Sequence, residues 1–300
     1  MHSLSDLHLK VFQYGFNYSQ DGPGNRLVFH LQGCNMRCPW CANPESFTMQ
    51  GALMIDPDYL FDNLCPHGAI KDKKRDPKIC ETCIDFACIQ EENRNKGITW
   101  SCKSYSIDEI VKIANSVKSS FYDGGGVTFS GGEATMQYKA LKQTMISLKN
   151  LDINLALETN GTSPKLSDLF NLIDHLIIDY KIPFATKHKK ILHYDNIQLK
   201  ENLVLAIKQH PDVLIRTPLI HKVNDSIDDL NEFIKFYKSI GATTQDTLKF
   251  EFLEYHDYGK NKWEYLGLEY LMPDNSEVSK QTVDMFINGF RKAGLNVVFT

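Results

Sequence analysis

Gly33-Cys34-Asn35-Met36-Arg37-Cys38-Pro39-Trp40-Cys41-Ala42-Asn43-Pro44-Glu45 follows directly on a short apolar run, Arg26 to Leu31, that reads as a first strand. Its three thiols are separated by three residues and then by two. A structural zinc site normally takes four protein ligands. A cube of four irons and four sulfurs also has four corners, each usually held by a cysteine. Three closely spaced thiolates therefore suit a cube with one iron left open, and an open iron can bind a substrate. A zinc knuckle, or cysteines brought together by chance, is the competing reading.

Length and composition set the bounds around this loop. Three hundred residues suffice for one large domain or two small ones, with ample apolar content for a core. The net charge of -4 is mild and gives no reason to expect nucleic acid or an acidic membrane surface as partner. No run approaches the roughly 20 apolar residues that a membrane helix needs. Met1 to Gln13 lacks a basic region followed by an apolar one, so a cytoplasmic location is expected. All eight cysteines lie between Cys34 and Cys102. A disulfide framework more often spreads its bridges and accompanies secretion, so the clustering points to metal.

Strands alternate with helices through the rest of the chain. Val127 to Ser130, Ile153 to Glu158, His175 to Lys181, Val213 to Leu219, Leu248 to Leu253 and Asn296 to Phe299 read as strands. Helices are expected after Ser106-Ile107-Asp108-Glu109, which has the form of a capping box, and near Gln137 to Lys149. Others are expected after Ser163-Pro164, over Lys200 to Lys208, from Asp225 or Ser226 to Ser239, and near Glu277 to Ala293. Such alternation implies right-handed crossovers and a parallel sheet. Residues 47–103 break the pattern, with few apolar repeats, many Lys and Asp, and five cysteines. Removing them leaves roughly 240 residues, enough for six or seven strand–helix units. The expectation is an α/β fold: a parallel barrel, partial or complete, built from 1–46 and 104–300, with 47–103 inserted. A flat doubly wound sheet is the alternative. Cys34 to Cys41, Gly131-Gly132-Glu133, Glu158 to Gly161, Asp179-Tyr180-Lys181, Arg216 and His256 all fall at or just after strand C-termini. In a parallel barrel those ends meet on the face that carries the chemistry.

The cysteine spacing, with an aromatic residue before the third thiol, resembles the signature of the radical S-adenosylmethionine (SAM) enzymes. Together with Asp21-Gly22-Pro23-Gly24-Asn25-Arg26 it resembles the activating enzymes of glycyl radical enzymes, the pyruvate formate-lyase activase type. The fold implied is a partial (β/α)6-type barrel with a ferredoxin-like insertion. Cys34, Cys38 and Cys41 would hold a catalytic 4Fe-4S cluster. Ser130-Gly131-Gly132-Glu133 resembles the motif that holds the SAM amino group. Glu158-Thr159-Asn160-Gly161 resembles a segment near the ribose and a monovalent cation, with Glu in place of the usual Asp. Asp179 and Lys181 match an Asp-Leu-Lys motif in which Tyr180 replaces leucine, implying contacts to SAM and the target hydrogen. Arg216 faces either a SAM carboxylate or a structural Asp or Glu. His256, in Glu254 to Trp263, is implied at the adenine or the incoming peptide, and Trp40 offers adenine a stacking face. Catalytic roles fall on Asp179, Lys181, Arg216 and His256. Asn196 matches a family asparagine, though His193 replaces the glycine usual before it.

Within the insertion, Cys65-Pro66 looks like the end of one ferredoxin motif and Cys80-Glu81-Thr82-Cys83 like the start of another. One auxiliary 4Fe-4S cluster on Cys65, Cys80, Cys83 and Cys88 is expected, with Cys102 as alternative fourth ligand; zinc would suit the same thiolates. The resemblance implies an oxidoreductase that reductively cleaves SAM and takes an α-hydrogen from a glycine of a partner glycyl radical enzyme. Reduced flavodoxin or ferredoxin would supply the electron. The rivals are a radical SAM enzyme acting on a small metabolite and a non-catalytic zinc or iron-sulfur module.

Overall fold

Short strands of five to seven residues recur along the chain, most of them separated by amphipathic helices, and each lies parallel beside the one before it. The structure, a computed structural model, describes residues 7–60, 65–89, 97–242 and 247–300. The strands are β1 (His8–Tyr18), β2 (Asn25–Leu31), β3 (Leu53–Ile55), β4 (Ile70–Lys71), β5 (Lys74–Arg75), β6 (Ile98–Trp100), β7 (Lys103–Ser106), β8 (Gly126–Gly131), β9 (Leu155–Thr159), β10 (His175–Asp179), β11 (Val213–Leu219) and β12 (Leu248–Glu254). The helices are α1 (Pro77–Glu81), α2 (Ile107–Ser116), α3 (Tyr138–Lys149), α4 (Ala185–Leu192), α5 (Ile197–Gln209), α6 (Ile227–Ser239), α7 (Lys260–Tyr265) and α8 (Lys280–Lys292).

The main sheet has the order β12-β11-β10-β9-β8-β2-β1-β7. From β2 to β12 every neighbouring pair is parallel, and β1 is antiparallel to both β2 and β7. Leu27, Phe29, Val127, Phe129, Leu155, Leu157, Leu176, Ile178, Val213, Ile215, Leu248 and Phe250 point outward and are buried under the helices. The alternate residues point inward, as the two-residue period requires. Residues 53–100 carry two small ladders, β3 with β6 and β4 with β5, around an apolar cluster of Leu53, Ile55, Ile70 and Ile98.

The expected caps hold the helices where the pattern places them. Ser106 Oγ accepts from Glu109 N–H, and Glu109 returns a bond to Ser106 N–H; Ser226 and Asp229 do the same for α6. Such a cap is worth about 1 kcal/mol. Elsewhere the sequence reading is corrected. Ser163 caps no α-helix; a 3-10 segment, Leu166–Leu172, follows instead. The last helix starts at Lys280 rather than near Glu277, because Ser279 Oγ accepts from Thr282 N–H and sets the boundary. Asn296 to Phe299 forms a single parallel bridge, Phe250 with Val297, rather than a strand. Part of the N-terminal stretch, residues 1–6, lies outside the described residues. No helix among the described residues is long and apolar enough to cross a membrane.

At the base of the inner face Arg26 is fully buried. Its guanidinium donates to Thr128 Oγ1 at 2.7 Å, Asn154 Oδ1 at 2.9 Å and the carbonyls of Val127 and Gly124 at 2.9 and 3.2 Å. It ties the start of β2 to β8 and β9. A buried cation persists only with such a set of acceptors.

Candidate active site

All six parallel strands deliver residues to one cavity of about 330 Å³ at their C-terminal ends. His30 comes from β2, Ser130 and Gly131 from β8, Glu158 and Thr159 from β9, Asp179 from β10, Pro218 from β11 and Leu253 from β12. Cys34, Cys38, Trp40, Cys41, Gly132, Asn160, Lys181 and His256 are also on its wall. A flat sheet could not bring its two outer parallel strands to the same hollow, so the sheet curls around it.

The loop after β2 presents the three cysteines with no disulfide among them. It rests on Met36, Ile182, Leu192 and Ile220, an apolar bed of its own. Burial pushes the Cys38 thiol up to about 12 and raises Cys34 and Cys41 as well. Lys181 works against that rise at Cys38 and Cys34. Thiols held this way stay protonated until a metal cation displaces the proton. Three soft donors on one cavity wall, with further space beside them, fit a cluster that keeps one corner for another ligand.

Ser130-Gly131-Gly132-Glu133 packs flat on the cysteine loop. Gly132 N–H donates to Leu31 O at 2.9 Å and Glu133 N–H to Gly33 O at 2.7 Å. A Cβ on Gly132 would lie 2.3 Å from Gly33 O, so only glycine allows this approach. The Glu133 side chain is a correction to the sequence reading, because it does not line the cavity. It is buried beneath, where Oε1 accepts from Thr135 N–H and from the hydroxyls of Thr135 and Thr159, and Oε2 from Asn160 N–H at 2.7 Å. Burial raises its carboxyl, and those donors pull it back. Glu133 thus fixes Thr159-Asn160 against the glycine turn.

Arg216 is the second correction. Its guanidinium is bound by Glu251 Oε2 at 2.7 Å and Glu158 Oε1 at 3.2 Å, and it also donates to Gln20 O. Burial would lower its pKa, but Glu158 and Glu251 outweigh burial and raise it. Of the two roles open to it, the geometry shows the carboxylate pair, and Arg216 is absent from the cavity wall. Asp179 and Lys181 do reach the cavity and form an ion pair with each other. Burial lowers Lys181, and the charge of its Asp179 partner, with the hydrogen bond between them, is the chief influence that raises it above its ordinary value. Glu158 accepts from Ser130 Oγ. His256 lines the cavity, stacked on Tyr258 at 4.2 Å. Asn196 is structural: buried, it donates to the carbonyls of Ile182 and Pro183.

His30, Met36 and Asn43 also line the cavity and were not singled out from sequence. His30 was legible in principle, since Arg26, Val28 and His30 share the inward register of β2.

The other thiols gather in the 53–100 segment. Cys65, Cys80, Cys83 and Cys88 line one recess. Burial pushes Cys88 up to about 11, helped by the other three thiols. Cys102 stands apart, its thiol 3.8 Å from Gln50 O, and does not line that recess, so it is poorly placed as fourth ligand. Beside the recess, Asp85 Oδ1 accepts from Cys83 Sγ at 3.3 Å and contacts His67 Nε2 at 2.9 Å.

Comparison with known proteins adds the following. The Radical SAM superfamily profile matches residues 28–236. The 4-hydroxyphenylacetate decarboxylase activating enzyme of Clostridioides difficile (strain 630) is 30% identical over 297 residues, 93% of this chain and 92% of that protein. The choline trimethylamine-lyase activating enzyme of Oleidesulfovibrio alaskensis is 29% identical over 280 residues, 86% of this chain and 87% of that one. Among solved structures, a radical SAM methyltransferase from Sphaerobacter thermophilus superposes with a TM-score of 0.54 at 12% identity, covering 94% of this chain and 67% of the other.

Proposed function

Because the chain belongs to the radical SAM superfamily, among the activating enzymes of glycyl radical enzymes, we propose that its cavity generates the radical that such an enzyme plants in a partner protein. The observation that carries the reading is the convergence of Cys34, Cys38 and Cys41 with the ends of six parallel strands on one hollow. Cys34, Cys38 and Cys41 would hold the 4Fe-4S cluster. When bound, the reduced cluster would supply one electron to the SAM sulfonium, breaking its C5′–S bond to leave methionine and the 5′-deoxyadenosyl group that takes an α-hydrogen from a glycine of the partner. The residues of the chain bind and orient. The Gly131-Gly132 backbone receives the methionine end of SAM, Trp40 and His256 flank the adenine, and Thr159 and Asn160 flank the ribose. Asp179 and Lys181 face the reacting end, where placement within contact distance governs rate. Lys181 answers Asp179, but Arg216 is shared between Glu251 and Glu158, so this wall keeps one net negative charge that a monovalent cation beside Glu158 would offset.

Residues 47–103 form an inserted unit in this reading. Its four clustered thiols, Cys65, Cys80, Cys83 and Cys88, would hold an auxiliary 4Fe-4S cluster, which would supply a one-electron relay for a reduced flavodoxin or ferredoxin. Zinc is the second reading, favoured by His67 and Asp85, which with Cys83 place three ligand atoms within 4.8 Å of one another. The setting is an anaerobic cytoplasm.

Anaerobic reconstitution with iron and sulfide, followed by reduction with SAM present, tests the assignment. Stoichiometric 5′-deoxyadenosine is expected, and a glycyl radical signal when a partner enzyme is added. The 4-hydroxyphenylacetate decarboxylase of the Clostridioides relative is the first partner to try. A reconstituted cluster that leaves SAM intact under reduction would refute it.

A further inference from the structure

The segment after β12 fastens the cysteine loop in place. Gly259 lies flat on that loop, and a Cβ there would meet Ala42 Cα at 2.6 Å and Cys41 O at 2.7 Å. Lys262 Nζ donates to Asn43 Oδ1 at 2.7 Å and Glu45 Oε1 at 2.6 Å. Trp263 Nε1 donates to Cys41 O at 2.9 Å, and its ring packs edge-on against Phe47 at 5.5 Å. Slightly further on, Leu266 O accepts from Arg75 Nη1 at 3.1 Å, and Arg75 also donates to Leu53 O at 2.9 Å. One short stretch thus grips both cysteine-bearing parts of the chain.

We propose that Lys262 and Trp263 are positioning residues for the catalytic cluster, fixing Cys41 to Glu45 and cancelling the carboxylate charge of Glu45 beside it. The proposal rests on the radical SAM reading. Glu45 carries the argument. Its side chain is only 5% exposed, its Oε2 has no hydrogen-bond partner among the described residues, and Lys262 is its ion-pair partner. Removing one member of a buried pair leaves an uncompensated charge. The potential of an iron-sulfur cluster follows local charge, hydrogen bonding and solvent exposure. A stranded Glu45 carboxylate disfavours the incoming electron and lowers that potential. The Trp263 N–H, donated to the carbonyl of a ligand residue, acts in the same sense as the Lys262 charge but more weakly.

The test uses the full-length reconstituted protein in five forms: wild type, Lys262→Met, Glu45→Gln, the double variant, and Trp263→Phe, which keeps an aromatic ring and removes the donor. Iron content is read by chemical analysis and the midpoint potential by an EPR-monitored redox titration, alongside the spectral response to SAM. Lys262→Met should lower the reduction equilibrium of the catalytic cluster about tenfold, which is about 59 mV for one electron. The double variant should recover most of that loss, and Trp263→Phe should shift the same way by less. Should Lys262→Met fail to retain iron, recovery of iron in the double variant supports the proposal, and no recovery overturns it. An unchanged potential in a fully loaded Lys262→Met protein also overturns it. A wild-type cluster indifferent to SAM is a separate result, and sinks the radical SAM reading instead.

Discussion

Gly132→Ala puts the seam between the SAM-binding turn and the cysteine loop to a quantitative test. The added Cβ would sit 2.3 Å from Gly33 O and 2.9 Å from Gly33 C, whereas real Cβ contacts essentially never fall under 3.0 Å. The two backbones must separate by at least 3.0 − 2.3 = 0.7 Å. Neither is free to move cheaply. Gly132 N–H is tied to Leu31 O, Glu133 N–H to Gly33 O, and Gly33 N–H to Ser46 O at 2.9 Å. Losing two of these bonds costs about 1–3 kcal/mol of stability at roughly 0.5–1.5 each. The catalytic effect is larger, because about 1 Å of misplacement at a reacting centre costs on the order of 10²-fold. We expect a fall of tens to about a hundredfold in 5′-deoxyadenosine formation by the reconstituted protein, measured alongside iron content and a urea unfolding curve. Gly15→Ala is the control, since its Cβ would meet nothing within 4 Å. A Gly132→Ala protein with full iron and SAM cleavage within about threefold of wild type would show that this close approach does not govern the site.

Three further outcomes follow from the described geometry. Arg26→Met strands several buried acceptors at the base of β2, β8 and β9 and should lower unfolding free energy by about 3–5 kcal/mol; a urea midpoint within error of wild type would contradict the bracing role. Burial holds His30, His188 and His210 below the ordinary 6.5, so the folded chain resists their protonation. Their contribution is fully present above that value and is lost progressively as pH falls beneath it. Unfolding midpoints should therefore drop between about pH 7.5 and 5.5, and His210→Gln should flatten the slope, because His210 Nε2 is engaged by Ile173 O and Nδ1 accepts from Asp212 N–H. Finally, Cys80→Ser should remove about four irons per reconstituted chain, while Cys102→Ser should remove none. Equal loss from both would place Cys102 in the auxiliary site.

The parallel order was legible because most of the buried strands are short apolar runs separated by amphipathic helices, and capping boxes at Ser106 and Ser226 mark helix starts by local chemistry alone. β1 was not read, although His8–Tyr18 alternates. Its outward aromatics Tyr14, Phe16 and Tyr18 remain exposed, and its place comes from antiparallel pairing with β2 and β7, which no local pattern announces. At the site, residue types pointed to the right loops but not to each side chain's destination. Glu133 and Arg216 look like ligand contacts in a linear motif. Each is buried at a depth where its charge has to be answered by the protein itself, by Thr135, Thr159 and Asn160 in one case and by Glu158 and Glu251 in the other. Such partners are brought together only by the curl of the sheet.

That curl stops short. Among the described residues the edge of β12 carries only the Val297 bridge, and no ladder joins it back to β2 or β1, so the six parallel strands make a staved wall left partly open. A chamber of this kind cannot keep water out on its own account. Its dryness becomes a joint property of the chain and whatever lies along the gap, and a seated loop from another protein would be container wall and reactant at once.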